Sequence, residues 1–258
     1  YYSILPTATP YARNAIFGGL FPAEIAGIYP ELWRRGRDDE RSLNRYEHQL
    51  LDRQLAELGL HLHPEPKYAK ILDVTEAREL AKRIASYRDT PLTAIVFNFV
   101  DILSHGRSES EILQEIAPDE SALRSLIRSW FVHSELFTIL KTASQWESTV
   151  VLTSDHGSVL GTKGTTVYGD RETSTSLRYK YGQNLRCDEK HALLIKRPQE
   201  YKLPSPGLNS NFIIAREDYY FLYPTKYHKY KRQFQGSFQH GGISLEEMIL
   251  PVVIMRPK

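Results

Sequence analysis

The chain has 258 residues, 41% hydrophobic and 25% charged, enough for a substantial core in one large domain or two small ones. A net charge of +2 excludes function through sheer polycationic charge, and a single cysteine, Cys187, excludes an internal disulfide or a cysteine-built zinc cage. The longest apolar stretches, such as Met248 to Met255 with Pro251 inside, are too short to span a bilayer. The expected location is the cytoplasm, a reducing compartment, with no membrane partner. The opening residues Tyr1-Tyr2-Ser3 carry neither a signal peptide nor a Met start, so the chain is expected to be a fragment whose upstream part is missing.

In chain order, the first predicted element is a short helix over Pro10 to Phe17, with Thr9 as its N-cap and Pro10 at the first helical position. A longer charged helix is expected over Asp38 to Leu58, and amphipathic helices over Val74 to Tyr87 and Asp119 to Thr142. Thr93 to Val100 reads as a buried strand, nearly continuous in β-branched and aromatic residues. Thr149 to Thr153, Ala192 to Ile195, Phe212 to Ile214 and Ile249 to Met255 are the other predicted strands. From Leu160 to Gln239 the Gly-, Thr- and Tyr-rich composition predicts loops and hairpins over a site. Strands alternating with helices predict an α/β fold, a central sheet flanked by helices.

Three turns carry chemistry. Asp101 follows the strongest predicted strand, with His105 four residues on. Asp155-His156-Gly157 follows the second strand, and His240-Gly241-Gly242 precedes Ser244-Leu245-Glu246-Glu247, the pattern of a capping box opening a helix. In open α/β sheets, sites form at the carboxyl ends of strands. Two aspartates and three histidines suit zinc, with manganese second. Thr9 stands where the free N–H groups of a helix start favour a phosphate. The remaining histidines, His48, His61, His63, His133, His191 and His228, have no such setting and are expected to be surface or packing residues.

Leu5-Pro6-Thr7-Ala8-Thr9-Pro10, Asp101 to His105, Thr153 to Gly157 and His240 to Ser244, with Pro251 beyond, together resemble the PglZ branch of the alkaline phosphatase superfamily. The resemblance extends in order over essentially the whole chain, and is closest to the effector half of PorX-type response regulators. It implies an alkaline-phosphatase-like fold with two zinc ions and a threonine nucleophile. Thr9, rather than Thr7, matches the nucleophile's place. Asp101, His105 and His240 would bind one zinc, and Asp155, His156 and Thr9 the other. An Asp upstream of the nucleophile would join the second set, and this sequence has none. The resemblance also implies a missing receiver and helical linker, a two-component system tied to type IX secretion, and a sensor histidine kinase and regulatory proteins as partners through that receiver. A homodimer is compatible with it.

The substrate is read from the residues after Asp155. Lys163, Arg171, Arg178 and Lys180 are the candidate substrate-binding cations, with Arg186 and Lys190 beyond. Tyr219, Tyr220, Phe221, Tyr223, Tyr227 and Tyr230 interleave with Lys226, Lys229, Lys231 and Arg232. Cations for phosphates and aromatics for bases point to a phosphodiesterase acting on short or cyclic oligonucleotides. A phosphomonoesterase is the alternative, as is a regulatory protein-binding module in which metal is structural.

Overall fold

The computed structural model describes residues 1–33, 44–169, 176–205, 207, 209–225 and 227–257. Their contacts divide the chain into two compact units, one of Tyr1–Gly59 and Ser154–Pro251, the other of Leu60–Thr153 and Val252–Lys258.

The first unit is built on a three-stranded antiparallel ladder in the order β6 (Tyr179–Gln183), β8 (Ser210–Ala215), β7 (Ala192–Ile195). Its central strand β8 is apolar on both faces, as a strand buried on both sides must be. Phe212 and Ile214 face a core with Tyr11, Leu50, Tyr179 and Ile195. Ile213 and Ala215, one residue out of phase, face a second core with Val167, Leu185 and Phe221.

Helix α1 (Thr9–Gly18) packs on the first core, and the Tyr11 ring meets Trp33, Tyr179 and Phe212 edge-on at 5.7, 5.6 and 6.3 Å. Helices α2 (Pro22–Ile28) and α3 (Glu47–Glu57) support it, and Arg13 of α1 forms a buried ion pair with Glu47 of α3 at 2.7 Å. Of the predicted Asp38–Leu58 helix, the structure gives α3; residues 38–43 lie outside the described residues. Two further ladders complete this unit. Strand β4 (Val159–Gly161) is antiparallel to β10 (Ser237–Gln239), and β5 (Lys163–Thr166) is parallel to β9 (Tyr219–Leu222). The stretch predicted as loops and hairpins also contains an unpredicted helix, α9 (Tyr227–Phe234).

The second unit opens with parallel strands β1 (Lys67–Ile71) and β2 (Thr93–Phe97), joined through helix α4 (Val74–Arg83). Ile71, Ala77, Leu80, Ile84 and Ile139 form its core. Strand β2 stops at Phe97, three residues short of the prediction, because Asn98 N-caps helix α5 (Phe99–Glu109). The predicted Val74–Tyr87 helix ends its last turn as a 3₁₀ segment. Helix α6 (Glu111–Ile116) follows α5. The predicted Asp119–Thr142 helix is two, α7 (Glu120–His133) and α8 (Glu135–Ala143), because the Ser134 hydroxyl caps α8 by accepting from Phe137 N–H at 3.3 Å. Strands β3 (Val150–Thr153) and β11 (Val252–Met255) pair antiparallel. Strand β11 begins only after Pro251, which has no N–H to give a ladder. No helix among the described residues is long and apolar enough to cross a membrane.

Candidate active site

Thr9 is not the helix cap. Ala8 is extended and caps α1 without a side-chain bond, so Thr9 is the first helical residue and Pro10 the second. A proline there costs no hydrogen bond, since first-turn N–H groups have no partner within the helix. Freed from capping, the Thr9 hydroxyl lies 2.9 Å from Nε2 of His156. His156 Nδ1 lies 2.9 Å from the carbonyl oxygen of Gly157, which can only accept, so the proton is on Nδ1. With the proton on Nδ1 alone, Nε2 presents its lone pair and can accept from Thr9. A carbonyl holding the far ring nitrogen is also the usual support of a metal-binding imidazole.

Asp155 stands beside this pair, its Oδ2 3.7 Å from His156 Nε2. That oxygen is buried and accepts no hydrogen bond among the described residues. The turn is fixed from two sides. The Ser3 hydroxyl donates to the Asp155 carbonyl at 2.6 Å, and Gly157 N–H donates to the Glu247 carbonyl at 3.0 Å. A side chain at Gly157 would collide with the Glu246 carbonyl, so the third residue of Asp-His-Gly is dictated by close approach.

His240 is 6% exposed, and its ring stacks on that of His156 with centroids 4.0 Å apart and planes 14° apart. Its turn needs both glycines. Gly241 has φ +109°, and a Cβ on Gly242 would run into the Arg178 guanidinium. Thr7, fully buried, clamps this turn: its hydroxyl donates to the Gly242 carbonyl at 2.7 Å and accepts from Gly241 N–H at 3.2 Å. The Glu247 carboxylate accepts from Gly242 N–H at 2.7 Å and Ser244 N–H at 3.1 Å, the acidic half of the expected capping box. Thr7, Ser3 and Glu247 escaped sequence reasoning as site supports. Only the Ser244–Glu247 spacing signalled any of them.

Thr9, Asp155, His156 and His240 belong to the first unit. Asp101 and His105 belong to the second, on helix α5 rather than directly after a strand. Asp101 is in the first turn of α5, and four-residue spacing puts His105 on the same face, Nε2 to Oδ1 3.4 Å.

The substrate-binding expectations fare differently. Arg178 is fully buried and turned inward. It holds the Glu247 carboxylate through Nε at 3.1 Å and Nη2 at 2.5 Å, and donates to the Glu217 carbonyl at 2.7 Å and to the Tyr219 carbonyl. It is a structural ion-pair partner, and its donors are spent. Lys163 pairs with Asp218 at 2.8 Å, which holds its pKa above the usual lysine value. Lys180, 4% exposed, is brought by burial down to a pKa of about 8, and its Nζ sits 5.4 Å from the Tyr223 ring centroid. Arg171 lies outside the described residues. His191 is a satisfied packing residue, bonded to Thr165 at 2.9 Å and stacked on Tyr219.

The fold matches crystal structures of phosphonoacetate hydrolase from Sinorhizobium meliloti 1021 in complex with phosphonoformate and with phosphonoacetate. The TM-scores are 0.53 and 0.52 and the identities 14% and 13%, each match covering 100% of this chain and 81% of the other. At that identity the likeness shows the fold alone. No curated protein matches the sequence. The family model for the "BREX system PglZ alkaline phosphatase-like domain" matches residues 1–255. This chain therefore belongs to the PglZ family of alkaline phosphatase-like domains.

Proposed function

We propose that the chain is a two-zinc phosphodiesterase that attacks short or cyclic oligonucleotides with Thr9. The observation that carries this reading is the convergence of the Thr9 hydroxyl, the Nε2 lone pair of His156 and the buried Asp155 Oδ2.

The donor set fits zinc. Ligand atoms around a tetrahedral zinc with bonds of about 2.0 Å lie about 3.3 Å apart. The separations of His156 Nε2 from Thr9 Oγ1 and from Asp155 Oδ2, 2.9 and 3.7 Å, bracket that value. A buried carboxylate oxygen without a hydrogen bond is costly unless a cation completes it. Thr9, Asp155 and His156 would hold one ion, and only the family resemblance assigns Asp101, His105 and His240 to the other; manganese would suit the same donors less well. Bound ions would lower the hydroxyl's pKa and neutralise charge on the phosphoryl group.

The residues' own part follows. Thr9 Oγ1 gives its proton to solvent water and attacks phosphorus in line. The bond to one ester oxygen breaks, that alcohol leaves with a proton taken up from water, and the phosphoryl group, still carrying its other ester, stays on Thr9. Water then attacks phosphorus, the Thr9–phosphorus bond breaks, and the hydroxyl is restored. The rigid α1 start fixes the attacking oxygen.

The test is turnover of a phosphodiester by Thr9→Ala and Thr9→Ser, with acid-quench mass spectrometry for a phosphoryl adduct on Thr9 that retains the substrate's remaining ester. Thr9→Ala should lose several orders of magnitude, Thr9→Ser should keep part of the rate, and wild type should show the adduct. Near-normal turnover by folded Thr9→Ala would end the covalent mechanism.

A further inference from the structure

In the second unit, helix α8 carries Thr138, Lys141 and Thr142 at three- and four-residue spacing, which puts them on one side of the helix. The chain keeps turning past the helix end. Gln145 N–H donates to the Thr142 carbonyl at 3.1 Å, and Trp146 N–H to the Ala143 carbonyl at 3.0 Å. Arg88 comes from another element, the 3₁₀ segment Ile84–Tyr87, which it ends. Arg88, Thr138, Lys141, Thr142, Gln145 and Trp146 together line one surface hollow of about 440 Å³. That volume falls among the about 300–1,000 Å³ typical of small-molecule sites.

The wall is cationic. Arg88 and Lys141 are exposed, and among the described residues no ion pair reaches either. No Asp or Glu lines the hollow, since Asp89 and Glu147, next in sequence to its lining residues, are not part of it. Unpaired cations are ordinary on a protein surface. Lys141 by itself also suits its helix, because the dipole favours a cation in the last turn, and its Nζ lies 5.9 Å from the Phe137 ring centroid. Neither reason covers the convergence of two cations from separate elements on one concavity that also contains an indole.

Trp146 is half-buried, packed in part against the core that contains Ile71, Leu80 and Ile139 and in part lining the hollow. A ring anchored in this way is a fixed surface for another planar group. The rest of the wall is polar. The Thr142 hydroxyl donates to the Thr138 carbonyl at 3.1 Å and keeps its lone pairs for a ligand. Gln145 Nε2 donates to Ser144 Oγ at 3.4 Å, which leaves the amide oxygen to accept.

We propose that this hollow binds a small aromatic phosphate of mononucleotide size. The phosphate meets Arg88, whose guanidinium pairs with it at two points, and Lys141, which adds a point charge. The planar ring lies against Trp146, and its amino group donates to Gln145 or Thr142. None of the six residues is a proposed nucleophile or metal ligand, so the site does not depend on the phosphodiesterase reading.

The experiment is isothermal titration calorimetry of the full chain with adenosine 5′-monophosphate, ribose 5-phosphate and adenosine. The variants are Arg88→Gln/Lys141→Gln, both on exposed side chains, and Trp146→Leu, each shown by thermal melting to be folded. Wild type should bind the nucleotide at least about tenfold more tightly than ribose 5-phosphate or adenosine, each of which lacks one half of the recognised chemistry. Arg88→Gln/Lys141→Gln should bind the nucleotide at least about tenfold more weakly than wild type. Trp146→Leu should lose the preference for the nucleotide over ribose 5-phosphate. Equal nucleotide affinity in wild type and Arg88→Gln/Lys141→Gln would overturn the proposal, because the nucleotide would then be held elsewhere on the chain. Ribose 5-phosphate binding to wild type as tightly as the nucleotide would overturn it too, as would no nucleotide binding at millimolar concentration. If Trp146→Leu fails to fold, the cation variant and the three ligands still decide.

Discussion

Arg178 and Glu247, 69 residues apart in the chain, form a fully buried two-point ion pair, and the same Glu247 carboxylate holds the backbone of the turn that carries His240. The pair therefore builds the turn that carries His240 from behind. Arg178→Ala should destabilise the fold by about 3–5 kcal/mol, because it leaves the carboxylate buried without its cation. Urea unfolding checks this. A variant with unchanged stability and only a raised KM would return Arg178 to the substrate.

Thr7 and Thr9 have separate duties. Thr9 faces His156, whereas the Thr7 hydroxyl binds the Gly241–Gly242 backbone beside His240. Thr7→Ala removes a buried hydroxyl with two partners, a loss of about 1–3 kcal/mol, and should lower kcat by loosening the His240 turn. Thr7→Ser should restore both stability and kcat, since it keeps the hydroxyl. Thr7→Ala with wild-type kcat would make the clamp irrelevant to the site.

Two of the three chemical motifs join a ligand-type side chain to a glycine demanded by close packing, Gly157 and Gly242, whereas Gly106 after His105 meets no such packing and lies on a helix. The role of Thr9 was blurred because a Thr before Pro is also what an N-cap looks like. Only the extended backbone of Ala8 shows that the cap lies one residue earlier. Arg178 was misassigned because sequence displays a charge but not its distant counter-ion. Helix α9 was missed because its three aromatics, set among other tyrosines, resembled strand composition rather than a helical face.

Lys180 gives a pH dependence of defined sign. Burial lowers its folded pKa from an ordinary 10.5 to about 8, so the folded state carries a penalty while the lysine is charged. Below pH 8 that penalty is fully present. Between pH 8 and about 10.5 the unfolded chain holds the proton and the folded protein does not, so stability rises with pH, by up to about 3 kcal/mol. In Lys180→Met this rise should vanish, and the variant should be the more stable protein at pH 7. Parallel urea titrations at pH 7 and pH 9.5 measure it. An identical rise in both proteins would assign the effect to other groups.

Asp155→Asn separates a metal ligand from a structural carboxylate, through a reversal of sign. The buried Oδ2 accepts no hydrogen bond among the described residues, so replacing it with a neutral amide of the same shape removes a desolvation cost. The melting temperature without metal should stay the same or rise. With zinc at a hundred times its dissociation constant, wild type should gain about 2.7 kcal/mol per site. The variant should lose that gain at one site, with bound zinc lower by about one equivalent. If Asp155 served the fold instead, Asp155→Asn would melt lower without zinc, and zinc would stabilise both proteins alike. That outcome would remove Asp155 from the ligand set, and with it the zinc site proposed around Thr9 and His156.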